Sequence, residues 1–157
     1  MTAGEIITDD PRKPDVQGLL ARHLAFCLSE TPPEHSFALN VDGLLDPAVT
    51  FVSYRDGGPG GAVLGVAAIK EIDPAHVELK SMHTAAEARG RGVARALLGH
   101  LLDVARARGY QRVSLETGTT PGFAAARTLY ESAGFTPCGP FGGYPVTGDN
   151  TFYTLTL

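Results

Sequence analysis

The chain has 157 residues, 43% of them hydrophobic, enough to build one domain whose core needs neither disulfides nor metal. Thirteen Lys and Arg against seventeen Asp and Glu give a formal net charge of -4, so no overall positive field is available to hold nucleic acid or an anionic membrane. Cys27 and Cys138 lie far apart and form no C-x-x-C pair, which predicts reduced thiols and a cytoplasmic protein, with no disulfide framework and no zinc.

The first thirty residues carry acids and prolines ("TDDPRKPD") where an export signal would need a basic head and an apolar run, and no stretch approaches membrane-spanning length. "GEIITDD" reads as a short strand. After Pro14 and Asp15, the spacing of Val16, Leu19, Leu20, His23, Leu24 and Leu28 predicts an amphipathic helix, which "TPPEHS" ends. Thr31 to Pro47 shows no clear pattern. "VTFVSYR" alternates as a strand, "DGGPGG" has turn chemistry, and Ala62 to Ile72 returns as the second arm of a hairpin.

"AHVELKSMHT" is the next strand, with Val77 and Leu79 on one side and Glu78, Lys80 and Met82 on the other. From Val93 the apolar stripe through Leu97, Leu101, Val104 and Ala105, widened by Leu98 and Leu102, predicts a helix that Gly109 stops. "RVSLET" then alternates as a strand parallel to the one before the helix. "PGFAAARTLYESAGF" gives a helix opened by Pro121 and closed by Gly134, and "TFYTLTL" a last strand that could pair across a homodimer. The expected architecture is a single α/β domain over residues 1–157, a central mixed, twisted sheet flanked by helices.

The loop before the strongest helix carries the chemistry. A helix N-terminus offers unpaired N–H groups and a partial positive charge, and Gly90 and Gly92 allow an anion to approach the backbone closely. Arg89, Arg91 and Arg95 add charge around it, and a diphosphate suits such a site. The stretch lacks the Gly-Lys-Ser/Thr ending of a P-loop, and Arg95 stands where a third Rossmann glycine would be.

Arg89-Gly90-Arg91-Gly92-Val93-Ala94 resembles the Arg/Gln-x-x-Gly-x-Gly/Ala signature of the GNAT superfamily of N-acetyltransferases, and "ARTLYESAGF", Ala126 to Phe135, is similar to its A-x-x-L-Y-x-x-x-G-F helix end. The resemblance covers Ala62 to Phe135 and implies a GNAT-like fold with acetyl-CoA as co-substrate, its pyrophosphate on the glycine loop. It implies that Tyr130 protonates the departing thiolate, that the backbone N–H of Met82 receives the oxyanion, and that main-chain groups of His83 and Thr84 hold the pantetheine arm. Tyr130 also fits the buried face of its helix, and the Met82 side chain fits packing.

Glu78 occupies a position where some members carry a catalytic base, although an ion pair with Lys80 accounts for it equally well. Phe123 stands where many members have an asparagine, so it serves either the coenzyme or the core; Ala126 belongs to the coenzyme-facing motif. His35 and Glu34 follow the first helix, where the family usually builds its acceptor site. Glu116 could attract a cationic acceptor, or hold Arg127 or a helix amide. His23, His76 and His100 read as ordinary amphipathic positions, and no metal is expected.

The reading implied is transfer of acetyl from acetyl-CoA to an amine, a small metabolite, by direct attack in a ternary complex, without nucleic acid or membrane as partner. Acetylation of a protein lysine or N-terminus, and a non-catalytic acyl-CoA-binding module, are the alternatives.

Overall fold

The structure is a computed structural model that describes residues 4–157. Seven strands form one mixed sheet in the order β1-β2-β3-β4-β5-β7-β6. They are β1 (Glu5–Thr8), β2 (Val49–Arg55), β3 (Val63–Asp73), β4 (His76–Thr84), β5 (Arg112–Gly118), β6 (Thr136–Pro137) and β7 (Asn150–Thr156). The helices are α1 (Pro14–Glu30), the one-turn α2 (Val41–Leu44), α3 (Val93–Ala107) and α4 (Ala124–Ser132). The expected mixed sheet flanked by helices is thus present. Among the described residues no helix is long and apolar enough to cross a membrane.

Every ladder is antiparallel except β4–β5, the pair joined through α3. Leu64 to Ile69 of β3 are buried without alternation, as expected of a central strand covered on both faces. Gly65 lets α3 lie close: a Cβ there would come within 2.6 Å of Val93 Cγ1 and 2.9 Å of Leu97 Cδ1. The expected α3 stripe is buried at Val93, Leu97, Leu98, Leu101, Leu102 and Ala105, and Gly109, at φ +83°, stands just past the end.

Several sequence expectations are corrected. The α1 stripe runs from His23 to Cys27, leaving Leu28 half exposed, because one helical turn brings residue 27 under residue 23. The turn at Pro121–Phe123 is 3₁₀, so α4 proper starts at Ala124. The two-residue β6 pairs with the outer side of β7, so the last strand is bonded on both edges within the chain. The segment without a pattern, residues 31–47, folds as a 3₁₀ turn at Pro33–His35 and then α2, which Asn40 caps by accepting from the Gly43 N–H.

The β1–α1 junction is fastened by a buried ionic cluster. Arg55 of β2 donates to Asp9 at 2.8 Å, to the Gly61 carbonyl at 3.1 Å and to Asp15, while Ser53 and Lys13 also bond Asp9. Burial works against charge on Asp9, but these donors outweigh it and hold the carboxyl well below the usual carboxylate range.

Candidate active site

The site is made by two departures from a regular sheet, both in β4. The first is a β-bulge: Ala68 faces Lys80 but Val66 faces His83, so β4 has one residue more than β3 over this stretch. Ser81 sits in the bulge at φ +58°, and it is the sole non-glycine in the left-handed region among the described residues. The extra residue resets the alternation, so the expected face of Glu78, Lys80 and Met82 does not continue past Lys80. Ser81 Oγ is buried without a hydrogen-bond partner among the described residues, and Ser81 lines the cavity described next.

The second departure is a splay. The parallel β4–β5 ladder holds only the rungs His76–Arg112, Val77–Val113 and Glu78–Ser114. Beyond them the strands separate and leave two connected hollows. One is a chamber of about 160 Å³ lined by Glu78, Lys80, Glu116, His35 and Tyr144 among others. The other is a cleft of about 460 Å³ that runs over Thr84 and Arg89 to the start of α3.

The cleft suits the diphosphate of the expected co-substrate. Gly90 and Gly92 have φ of +79° and +81°, and a Cβ on either would meet nothing within 4 Å, so the backbone faces open space. The α3 N-terminus has no side-chain cap and no acidic residue in its first turn, which leaves its N–H groups free for an anion. Arg89 and Arg95 are exposed at the rim, and Arg91 lies 3.9 Å from Asp56. Val93 and Ala94 begin the helix at the same place.

In the chamber, Lys80 Nζ donates to Glu78 Oε2 at 3.0 Å, and the Tyr144 hydroxyl joins both groups, donating to the same carboxylate oxygen and accepting from the ammonium. Burial and the Glu78 charge push the Tyr144 phenol far up, so it stays protonated. Glu116 is raised by burial, with Asn150 and Lys80 pulling the other way. The ion pair expected as one explanation of Glu78 therefore exists, inside the chamber and not in solvent.

Two irregular segments line the chamber's outer side. His35 Nδ1 lies 2.6 Å from Asp149 Oδ2, and Phe37 meets Tyr144 edge to face at 5.4 Å. His35 is drawn in because the 3₁₀ turn directs it to Asp149, whereas Glu34 on the same turn stays exposed and outside the chamber. Arg127 does not reach Glu116; it donates to the carbonyls of Gly118 and Thr120 at 2.7 and 2.9 Å. Phe123 lines the chamber, its ring edge to face with Phe26 at 5.1 Å.

Between the hollows, the Tyr130 hydroxyl is buried and points at Met82 Sδ, 3.9 Å away; burial pushes its phenol well above the ordinary tyrosine value. Ala126 lies on the same wall. The sequence reading missed Lys80, Tyr144 and Asp149 as site residues. It also took His23 and His76 as ordinary positions. His23 instead bonds His83, with Nδ1 to Nδ1 at 3.2 Å, and His76 bonds Ser114 at 2.6 Å. A histidine within a leucine stripe was the available signal for His23.

A bulged, splayed sheet with an anion loop at one end of the opening and an ionisable chamber at the other is an arrangement for joining a phosphate-bearing donor to a small polar acceptor. Residues 18–135 match the model of the acetyltransferase (GNAT) family, and the chain belongs to that family. It is 45% identical over 152 residues to a protein named uncharacterized N-acetyltransferase YedL of Escherichia coli (strain K12), covering 97% of this chain and 94% of that one. It is 40% identical over 149 residues to one named uncharacterized N-acetyltransferase YsnE of Bacillus subtilis (strain 168), covering 95% and 97%. A solved acetyltransferase from Streptococcus agalactiae 2603 shares the fold with a TM-score of 0.74 at 20% identity over the whole of both chains. The protein is an acetyl-CoA-dependent N-acetyltransferase of the GNAT type.

Proposed function

We propose that this enzyme acetylates the primary amine of a small metabolite by direct attack within a ternary complex. The observation that carries the reading is the chamber. Its modest volume, bordered by the His35–Asp149 and Phe37–Tyr144 contacts, suits a compact group better than a protein segment. The carboxylates Glu78 and Glu116 against the single Lys80 favour a cation.

In this reading the chain's groups divide the work. Residues 89–95 bind the diphosphate, and His83 and Thr84 offer main-chain bonds to the pantetheine arm, with Ala126 and Phe123 as apolar walls. Glu116 and His35 orient the ammonium, and Glu78 takes its first proton to release a nucleophilic amine. The Met82 N–H, in the bulge, receives the oxyanion. Tyr130 gives its proton to the thiolate as the C–S bond breaks. The free thiols Cys27 and Cys138 accord with work in the cytoplasm by one acetyltransferase domain.

The test is thiol release from acetyl-CoA with a panel of small mono- and diamines set against lysine-containing peptides of increasing length. Higher kcat/KM for a compact amine is expected. A steady gain with peptide length would replace this reading with protein acetylation, and background release with every acceptor despite tight coenzyme binding would replace it with a binding module.

A further inference from the structure

Six residues line both the cleft and the chamber: Phe26, Met82, His83, Gly122, Ala126 and Tyr130. An acetyl carbon held in the cleft and a nitrogen held in the chamber meet at this wall. Only two of the six, His83 and Tyr130, carry a side chain able to exchange a proton with the reactants.

The proton count calls for both. Turning an ammonium into an amide nitrogen removes two protons. Glu78 has one acceptor oxygen already engaged by Lys80 and Tyr144, and it serves for the first proton. After attack the nitrogen is cationic and still holds the second, and Tyr130, which must give a proton to sulfur, cannot take it.

We propose that His83 is a further catalytic residue, which accepts this second proton on Nε2, and that His23 is its positioning residue. The proposal rests on the cleft being the acetyl-CoA site. The Nδ1–Nδ1 contact at 3.2 Å has room for one proton, so the two imidazoles must adopt opposite roles. Cys27 Sγ lies 3.8 Å from His23 Nε2. Burial, then Glu116, raises the Cys27 thiol to about 11, so the sulfur stays protonated and can either donate to His23 Nε2 or accept from Nε2–H; in the proposed arrangement it accepts. His23 Nδ1 is then the acceptor, His83 Nδ1–H the donor, and the lone pair of His83 is left on Nε2.

Burial and the charges around it keep that lone pair available. Burial, then Arg89 of the glycine loop and Arg22 of α1, pushes His83 down to about 4, and burial, then His83 itself, does the same to His23. Tyr130 of α4 is neutral, and Glu78, Lys80 and Glu116 are grouped in the chamber. The proton to be taken is that on the nitrogen of the tetrahedral adduct, which is more acidic than the free ammonium.

The step balances. The nitrogen pair forms the C–N bond as the carbonyl π pair moves to oxygen, and the N–H proton passes to His83. The oxygen pair then re-forms the carbonyl, the C–S bond breaks, and sulfur takes the Tyr130 proton. The imidazolium loses its proton and the phenolate regains one, giving amide and free thiol.

Hydroxylamine tests this, because it is small and uncharged at neutral pH, so that only the second proton remains to be removed. The wild type is expected to acetylate it. His83→Gln is expected to lower kcat by about 100-fold or more while leaving the acetyl-CoA Kd, read by calorimetry, within twofold. His83→Ala is expected to recover turnover when imidazole is added, and His23→Leu to lose turnover that His23→Gln, which keeps a partner for Nδ1, largely restores. Unchanged kcat in His83→Gln, a loss that imidazole does not restore, or a wild type that binds acetyl-CoA without acetylating hydroxylamine would each overturn the proposal. A wild type that does not bind acetyl-CoA would instead overturn the reading beneath it.

Discussion

Glu78 of β4 and Ser114 of β5 form the last rung of the one parallel ladder among the described residues. Past that rung, β4 continues to Thr84 and β5 to Gly118 without pairing with each other, and the opening between them becomes the cleft and chamber. The sheet thus supplies a site by ceasing to pair, and α4 places Tyr130 at the point where the hollows meet.

Replacing that tyrosine separates catalysis from binding. Tyr130→Phe keeps the buried ring beside Phe135 and removes only the proton donor. A kcat lower by about 100-fold, with acetyl-CoA Kd within twofold, is expected in thiol-release and calorimetric assays. Turnover at the wild-type rate would remove Tyr130 from the mechanism.

The histidine pair makes stability depend on mild acid. His23 and His83 take up a proton near pH 4 in the folded protein against an ordinary 6.5, so between those values the unfolded chain binds more protons. Stability therefore rises with pH across that window and is lost as pH falls from about 6.5 to about 4. Urea unfolding at half-unit steps should show this slope, and a doubly substituted His23→Leu, His83→Gln protein should flatten it. A wild type equally stable at pH 6.5 and 4.5 would contradict the burial of a neutral pair.

Asp9 and Asp10 are neighbours with opposite expectations. The Asp9 side chain is fully buried against Arg55, and Asp9→Asn should cost about 3 kcal/mol because it leaves buried Arg55 without its buried counter-charge, Asp15 being half exposed. In a domain of this size that is a fall in Tm of about 6–12 °C. Asp10 pairs with an exposed Arg12, and Asp10→Asn should leave Tm unchanged. Thermal unfolding followed by circular dichroism distinguishes the two.

What the sequence made legible was local and periodic. The α3 stripe, the "DGGPGG" hairpin and the alternation of "RVSLET" each follow from side-chain spacing within one element, and the residue types of the glycine loop raised the expectation of an anion there. What escaped depends on partners distant in sequence. His35 and Asp149 are 114 residues apart, His23 and His83 are 60 apart, and neither segment shows a pattern that names the other. The bulge was hidden because a serine, not a glycine, takes the left-handed conformation, and with it the phase of β4 after Lys80 was misread. Tyr144 lies in a stretch without regular structure, placed by Phe37, Phe141 and Phe152 together.

The central claim, that the loop at the start of α3 binds the diphosphate of acetyl-CoA, is tested most directly by calorimetric titration of acetyl-CoA into the wild type, Gly92→Glu and Gly99→Glu. A glutamate at 92 would fill the open space before the helix N-terminus with negative charge, whereas Gly99 is exposed further along the helix with nothing nearby. Micromolar binding in the wild type and Gly99→Glu, lost in a folded Gly92→Glu, is the expected result. Equal binding by all three proteins, or none by the wild type, would contradict it.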